Sequence, residues 1–138
     1  MVNGTGGAHM RIRKHEELEL EDGTTIRYVR HDNGGGMVAK QASADPSARI
    51  EESAWVDPGA WVGPGVRLGP GCWLEPGARV EPGAWLGTGV HVGAGAVIGS
   101  RARVGSRARI WAGARVAERA SIGIDAEVSA TGQDVRAA

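Results

Sequence analysis

The chain has 138 residues, 16 basic and 16 acidic side chains, no phenylalanine and one cysteine. That length fits one domain, and the balanced charge gives no global push toward nucleic acid or an anionic membrane. No apolar run approaches a membrane span, and a lone cysteine forbids an intrachain disulfide.

Residues 1–10 are Gly-rich and read as a tag or disordered leader. Gly6-Gly7-Ala8-His9-Met10 resembles a cloning remnant ahead of a native start at Met10. No signal peptide is visible, so the cytoplasm is the expected compartment. Residues 11–36 read as an N-terminal β-hairpin cap with a Gly linker. Leu18 and Leu20 alternate with Glu19 and Glu21, Asp22-Gly23 is a strong hairpin signal, and Thr25 to Arg30 supplies the second strand with Ile26, Tyr28 and Val29. Asn33-Gly34-Gly35-Gly36 reads as a flexible joint.

From residue 37 to 131 one period governs the chain. An aliphatic residue returns every six positions: Ile50, Val56, Val62, Leu68, Leu74, Val80, Leu86, Val92, Ile98, Val104, Ile110, Val116, Ile122 and Val128. Val38 and Ala44 extend the series upstream, and a small residue such as Ala54, Ala60, Cys72 or Ala78 precedes each large one by two positions. A fixed short period means a solenoid. The large residue fills the middle of a flat side and the small one sits near a corner. Pro58-Gly59 and its repeats at 64–65, 70–71, 76–77 and 82–83 make the corners. Proline presets φ at the second position of a turn and glycine accepts a positive φ at the third. Three sides close a triangular coil of 18 residues, giving about five coils. Cys72 falls in the small inward slot and reads as core. The hairpin would cover strand edges that an open first coil exposes. Residues 132–138 form a tail with no helix-length apolar face, and the last coil could meet another chain or polymerise end to end.

The residue before each aliphatic one points outward and stacks in three columns: Arg49, Arg67, Trp85, Arg103, Ser121; Trp55, Trp73, His91, Arg109, Glu127; and Trp61, Arg79, Val97, Arg115. Trp55 over Trp73, and Trp85 between Arg67 and Arg103, predict aromatic and cation–π contacts. Exposed apolar area of this kind is unusual on a monomer, and Trp and Arg are enriched at interfaces. Trp55, Trp61, Trp73 and Trp85 are therefore candidate interface residues. Charge is uneven along the axis, with acids gathered in residues 44–83 and arginines in residues 97–120.

The repeat resembles the hexapeptide-repeat family: an aliphatic residue, then Gly, Ala, Glu or Asp, two free positions, a small residue and one more. Only Trp111 and Ser129 depart at the second slot. The resemblance implies a left-handed parallel β-helix, an exception to the usual right-handed crossover; periodicity alone does not set the hand. It also implies a homotrimer with parallel axes. The family's enzymes are mostly acyltransferases with a histidine base in a cleft between subunits and coenzyme A along the C-terminal coils.

His91, in Gly87-Thr88-Gly89-Val90-His91-Val92-Gly93-Ala94-Gly95, is the one histidine of the repeats and the candidate base. Arg103, Arg109 or Arg115 would meet the coenzyme A phosphates. The chain departs from the enzymes in three ways. His91 sits on a flat side rather than in a corner, no acid follows it, and no loop interrupts the hexads. A zinc site of the kind used by carbonic anhydrases of this fold needs three histidines, and His15 with His31 would supply two ligands at most. No metal site and no nucleotide-binding signature is expected. The sequence reads first as a trimeric structural or assembly module with a degenerate or absent catalytic site. The alternative is a CoA-dependent acyltransferase for O- or N-acetyl transfer with His91 as base.

Overall fold

The computed structural model describes residues 15–19, 23 and 25–130, with backbone alone for 15–19. The leader, the Asp22 half of the hairpin turn and the tail from 132 lie outside the described residues. Every described element is a strand. After β1 (His15–Glu19), β2 (Thr25–Arg30) and β3 (Met37–Ala39), two-residue strands recur every six positions from Ser43–Ala44 to Glu127–Val128.

The strands form three parallel sheets, each a face of a triangular prism. On one face Trp55, Trp73, His91, Arg109 and Glu127 stand in register, each 18 residues from the next. Arg49, Arg67, Trp85, Arg103 and Ser121 line the second face. Ser43, Trp61, Arg79, Val97 and Arg115 line the third. They are called below the Trp73, Trp85 and Trp61 faces. The offset of 18 makes the coil three hexads long, and the chain is a left-handed parallel β-helix.

The core is the inward series. Ile50, Val56, Leu68, Leu74, Val80, Val92, Ile98 and Ile110 are fully buried, with Ala54, Ala78, Ala84 and Ala96 beside the corners. Each large aliphatic so buried contributes about 1.5–3 kcal/mol. Cys72 belongs to this core, its thiol donating to Gly87 O at 2.9 Å, and burial pushes its pKa up to about 11. Corner amides bond the coil beneath, as in Gly77 N to Pro58 O at 3.2 Å and Gly89 N to Pro70 O at 2.9 Å.

The third corner residue has positive φ at every corner from Ser53 to Asp125. Glycine fills it from Gly59 (φ 82°) to Gly95 (φ 71°). Beyond that, Arg101 (59°), Arg107 (63°), Arg119 (64°) and Asp125 (63°) occupy it, as does Ser53 (71°) upstream. A left-handed setting costs a residue with a Cβ about 1–2 kcal/mol, so the C-terminal coils carry strain that the Pro-Gly corners avoid.

At the N-terminal end β1 and β2 pair antiparallel, and β2 pairs antiparallel with β3, extending the Trp73 face beyond the first coil. Two details differ from the sequence expectation. Glu19 lies opposite Thr25, so an odd number of residues separates the strands; a two-residue Asp22-Gly23 turn would bring Glu19 opposite Ile26. Gly23 takes φ 89°, the left-handed setting with which odd-length hairpin loops close. The second difference is the Asn33–Gly36 joint, which is packed rather than flexible. Gly36 N donates to Ile50 O at 2.8 Å and Ile50 N to Asn33 O at 3.0 Å, so the loop pairs with the first strand of the Trp85 face. A methyl on Gly36 would lie 2.2 Å from Ile50 Cγ2. Glycine is there to let two backbones approach, not to loosen the chain.

Candidate functional site

The three faces differ in what their outward residues do. On the Trp73 face the outward column runs beside second-slot residues of the coil below. Residue n of one column therefore meets residue n−16, a diagonal that a simple column drawing omits. Asp57 accepts from Trp73 Nε1 at 2.7 Å and from the Tyr28 hydroxyl at 2.8 Å. Tyr28 is buried, and that burial, with Asp57 beside it, raises its pKa. The Trp73 ring lies flat on His91, with centroids 4.5 Å apart and planes 1° from parallel. His91 Nε2 in turn bonds Glu75 Oε2. A coil higher, Arg109 sits 4.3 Å over Trp111, whose Nε1 donates to Glu127 at 3.3 Å.

Two sequence expectations are corrected here. His91 does have an acid: Glu75 reaches it from the coil beneath, 16 residues earlier, and the two half-buried side chains form a pair. Looking only along the local sequence missed it; the register plus the diagonal would have found it. Trp55 does not stack on Trp73. Its ring meets Tyr28 edge-on at 4.8 Å and 82°, so the hairpin strand captures it while Trp73 turns to His91. His91 stands on a flat strand, and the corner before it carries Gly89 rather than a reacting side chain.

The Trp85 face forms the predicted sandwich. Arg67 lies 4.7 Å and Arg103 4.5 Å from the Trp85 ring. An open groove of about 460 Å³ runs along it, floored by Gly69, Gly87 and Gly105 and edged by Arg49, whose guanidinium is held by Glu51 at 2.6 Å. On the Trp61 face Arg79 covers Trp61 at 4.2 Å and pairs with Glu81 at 2.6 Å.

The structure distributes the remaining candidates. Arg103, Arg109 and Arg115 stand on three different faces, so one chain does not gather them around one ligand. Of the candidate interface indoles, Trp73 and Trp85 are exposed at 44% and 42%, whereas Trp55 and Trp61 are half-buried by Tyr28 and Arg79. Trp111, outside the columns, is exposed as well at 42%. His31 Nε2 bonds Ala48 O at 2.8 Å. Among the described residues no three His, Cys, Asp or Glu side chains form a metal-holding group, and no helix is long and apolar enough to cross a membrane.

Residues 65–100 match the family model for the bacterial transferase hexapeptide (six repeats). Comparison with curated proteins finds no match. Among solved structures, the H141A mutant of GDP-perosamine N-acetyl transferase from Caulobacter crescentus, in complex with CoA and GDP-perosamine, is 30% identical over 67% of this chain and 44% of that one, with a TM-score of 0.66. The acetyltransferase domain of PglB from Neisseria gonorrhoeae FA1090 is 22% identical over 67% of this chain and 53% of that one, with a TM-score of 0.43. The chain thus spans about half the length of these structures.

Proposed function

The chain belongs to the hexapeptide-repeat transferase superfamily, and from that premise we propose that it works as a self-associating structural module, a homotrimer with parallel axes. The observation that carries this reading is the pair of exposed indoles, Trp73 and Trp85, held rigid on neighbouring faces by His91 on one and by two arginines on the other. Ordered aromatic and arginine surface is what interface cores are made of. The corners support the same reading: five of them are Pro-Gly, which carries no reacting group. His91 has one ring face against Trp73 and one nitrogen on Glu75. The cytoplasm is the compartment we assign it.

Light scattering on the full chain tests this. The expected mass is three times that of one chain, and Trp73→Ala with Trp85→Ala should shift it to the monomer. A double variant that stays trimeric removes the interface assignment. Mass that keeps growing with concentration would instead point to end-to-end growth.

A second reading has its own observation, the His91–Glu75 pair. A carboxylate on Nε2 fixes the tautomer and leaves Nδ1 as the base, worth roughly 10²–10⁴-fold in rate. In that reading the protein is a CoA-dependent acyltransferase for O- or N-acetyl transfer. Arg109 and Arg115 would reach one coenzyme A from adjacent subunits. Supporting it is the likeness to an acetyltransferase bound to CoA. Acetyl-CoA should then raise the melting temperature, and Arg109→Ala with Arg115→Ala should cancel the rise. No rise with wild type argues against this reading and leaves the structural one standing.

A further inference from the structure

One strip of the surface is basic without matching acids. Arg49, Arg79 and Arg107 are paired with Glu51, Glu81 and Asp125. Arg67, Arg101, Arg103 and Arg119 are in no ion pair among the described residues. Arg67 and Arg103 stand two coils apart on the Trp85 face. Arg101 and Arg119, 18 residues apart, stack one coil apart on the corner leading into that face, and all four are exposed. With coils roughly 4.8 Å apart, the four span about 14 Å along the axis. The groove of about 460 Å³ runs beside them, and Glu118 is the acid next to Arg119.

Two features say that these side chains are wanted. Arg101 and Arg119 hold φ of 59° and 64° in the corner column where Gly65 and Gly83 sit below them without strain. A strained backbone kept at an exposed position argues for the side chain it presents. Arg67 and Arg103 reach the Trp85 ring from the coils on either side, 4.7 and 4.5 Å from its centre, so their guanidiniums are positioned before any ligand arrives. Arginine presents a planar fork that fits phosphate oxygens in pairs. Because both faces of Trp85 are covered, no π-face is left for a base to stack on, which disfavours single-stranded nucleic acid.

We propose that this strip binds an extended phosphate polymer laid parallel to the coil axis. The inference goes beyond the structural role above and competes with it for the Trp85 face, since a neighbouring copy seated there would cover Arg67 and Arg103; bound polyphosphate should therefore shift the light-scattering mass toward the monomer. Titration of the full chain with medium-chain inorganic polyphosphate, followed by calorimetry at several salt concentrations, tests it. Saturable binding is expected with polyphosphate, and binding at least about tenfold weaker with orthophosphate, since only a chain can span several coils. Arg101→Gly with Arg119→Gly should lower the affinity and flatten the log–log salt dependence by about two. The same pair should leave the melting temperature unchanged or raise it, because glycine relaxes the corner. Arg67→Gln, away from the strained corner, should weaken binding too, and Arg79→Ala on the Trp61 face should not. Absent binding by wild type at low salt overturns the proposal. So does an unchanged affinity and salt slope in the corner double variant, or equal affinity for single-stranded DNA.

Discussion

The N-terminal and C-terminal coils share one register but close their corners differently. From Val56 to Leu86 the corners are Pro-Gly, with glycine at φ 71–82°. From Ile98 onward they are Ser-Arg, Ala-Gly, Glu-Arg and Ile-Asp, with Arg101, Arg107, Arg119 and Asp125 bearing the left-handed setting. The inward residues do not register the change: Ile98 and Ile110 are as buried as Leu68 and Leu74. The lesson is that the aliphatic stack sets the coil and the corner residue complies. Corner chemistry is then free to vary, and in this chain it turns from neutral to basic.

The largest break in that comparison should come from the core they share. Leu86→Asp buries an unpaired charge in the middle of the stack and should cost more than about 4 kcal/mol, abolishing the cooperative far-UV CD melt. Ile122→Asp, at the half-exposed far end, should melt lower than wild type but still cooperatively. A retained melting temperature in Leu86→Asp would falsify the register.

Next comes steric room. Gly36→Ala should lower stability by about 1–3 kcal/mol, since its Cβ meets the Ile50 side chain and the Glu51 carbonyl. Gly113→Ala, with open space around it and φ 75°, should cost only the strain of about 1 kcal/mol. Equal losses by chemical denaturation would show that the N-terminal loop is not packed as described.

The corners themselves give a smaller, reciprocal test. Gly89→Ala should destabilise by about 1 kcal/mol, whereas Arg119→Gly should stabilise by up to about 1 kcal/mol, less glycine's entropy cost. Opposite signs sharpen the contrast between the two halves; equal signs dissolve it.

The smallest effect is a titration. Burial raises the Cys72 pKa to about 11, above its unfolded value, so its contribution is present at neutral pH. It is lost as pH climbs from about 9 toward 11. The thiol should resist alkylation at pH 8 in the folded protein and react at once when denaturant is added. Rapid labelling without denaturant would place Cys72 outside the core.

Legibility followed periodicity. The inward aliphatics named from the six-residue period are buried except Ala44 and Ile122, which pack half-exposed against the two ends of the core, and the three outward columns are those predicted. A period of six and a lap of three hexads leave no other arrangement that buries the aliphatics. The Arg67–Trp85–Arg103 sandwich followed from the columns alone. The diagonals did not, because a column treats each face as a single file. Glu75 on His91, Asp57 on Trp73 and Glu127 on Trp111 join two files offset by 16 residues. The capture of Trp55 by Tyr28 was hidden for another reason: it depends on where the hairpin docks, and no repeat specifies that.

By itself the amino-acid sequence determined the solenoid, its 18-residue lap and the burial of Cys72, because hydrophobic spacing acts through local chain geometry and needs no distant partner. The tertiary structure alone decided that His91 has an acid, that the glycine joint packs on Ile50, and that Arg103, Arg109 and Arg115 part onto three faces. Those outcomes depend on how side chains of successive coils lean across one another, a geometry that exists only once the coils are stacked.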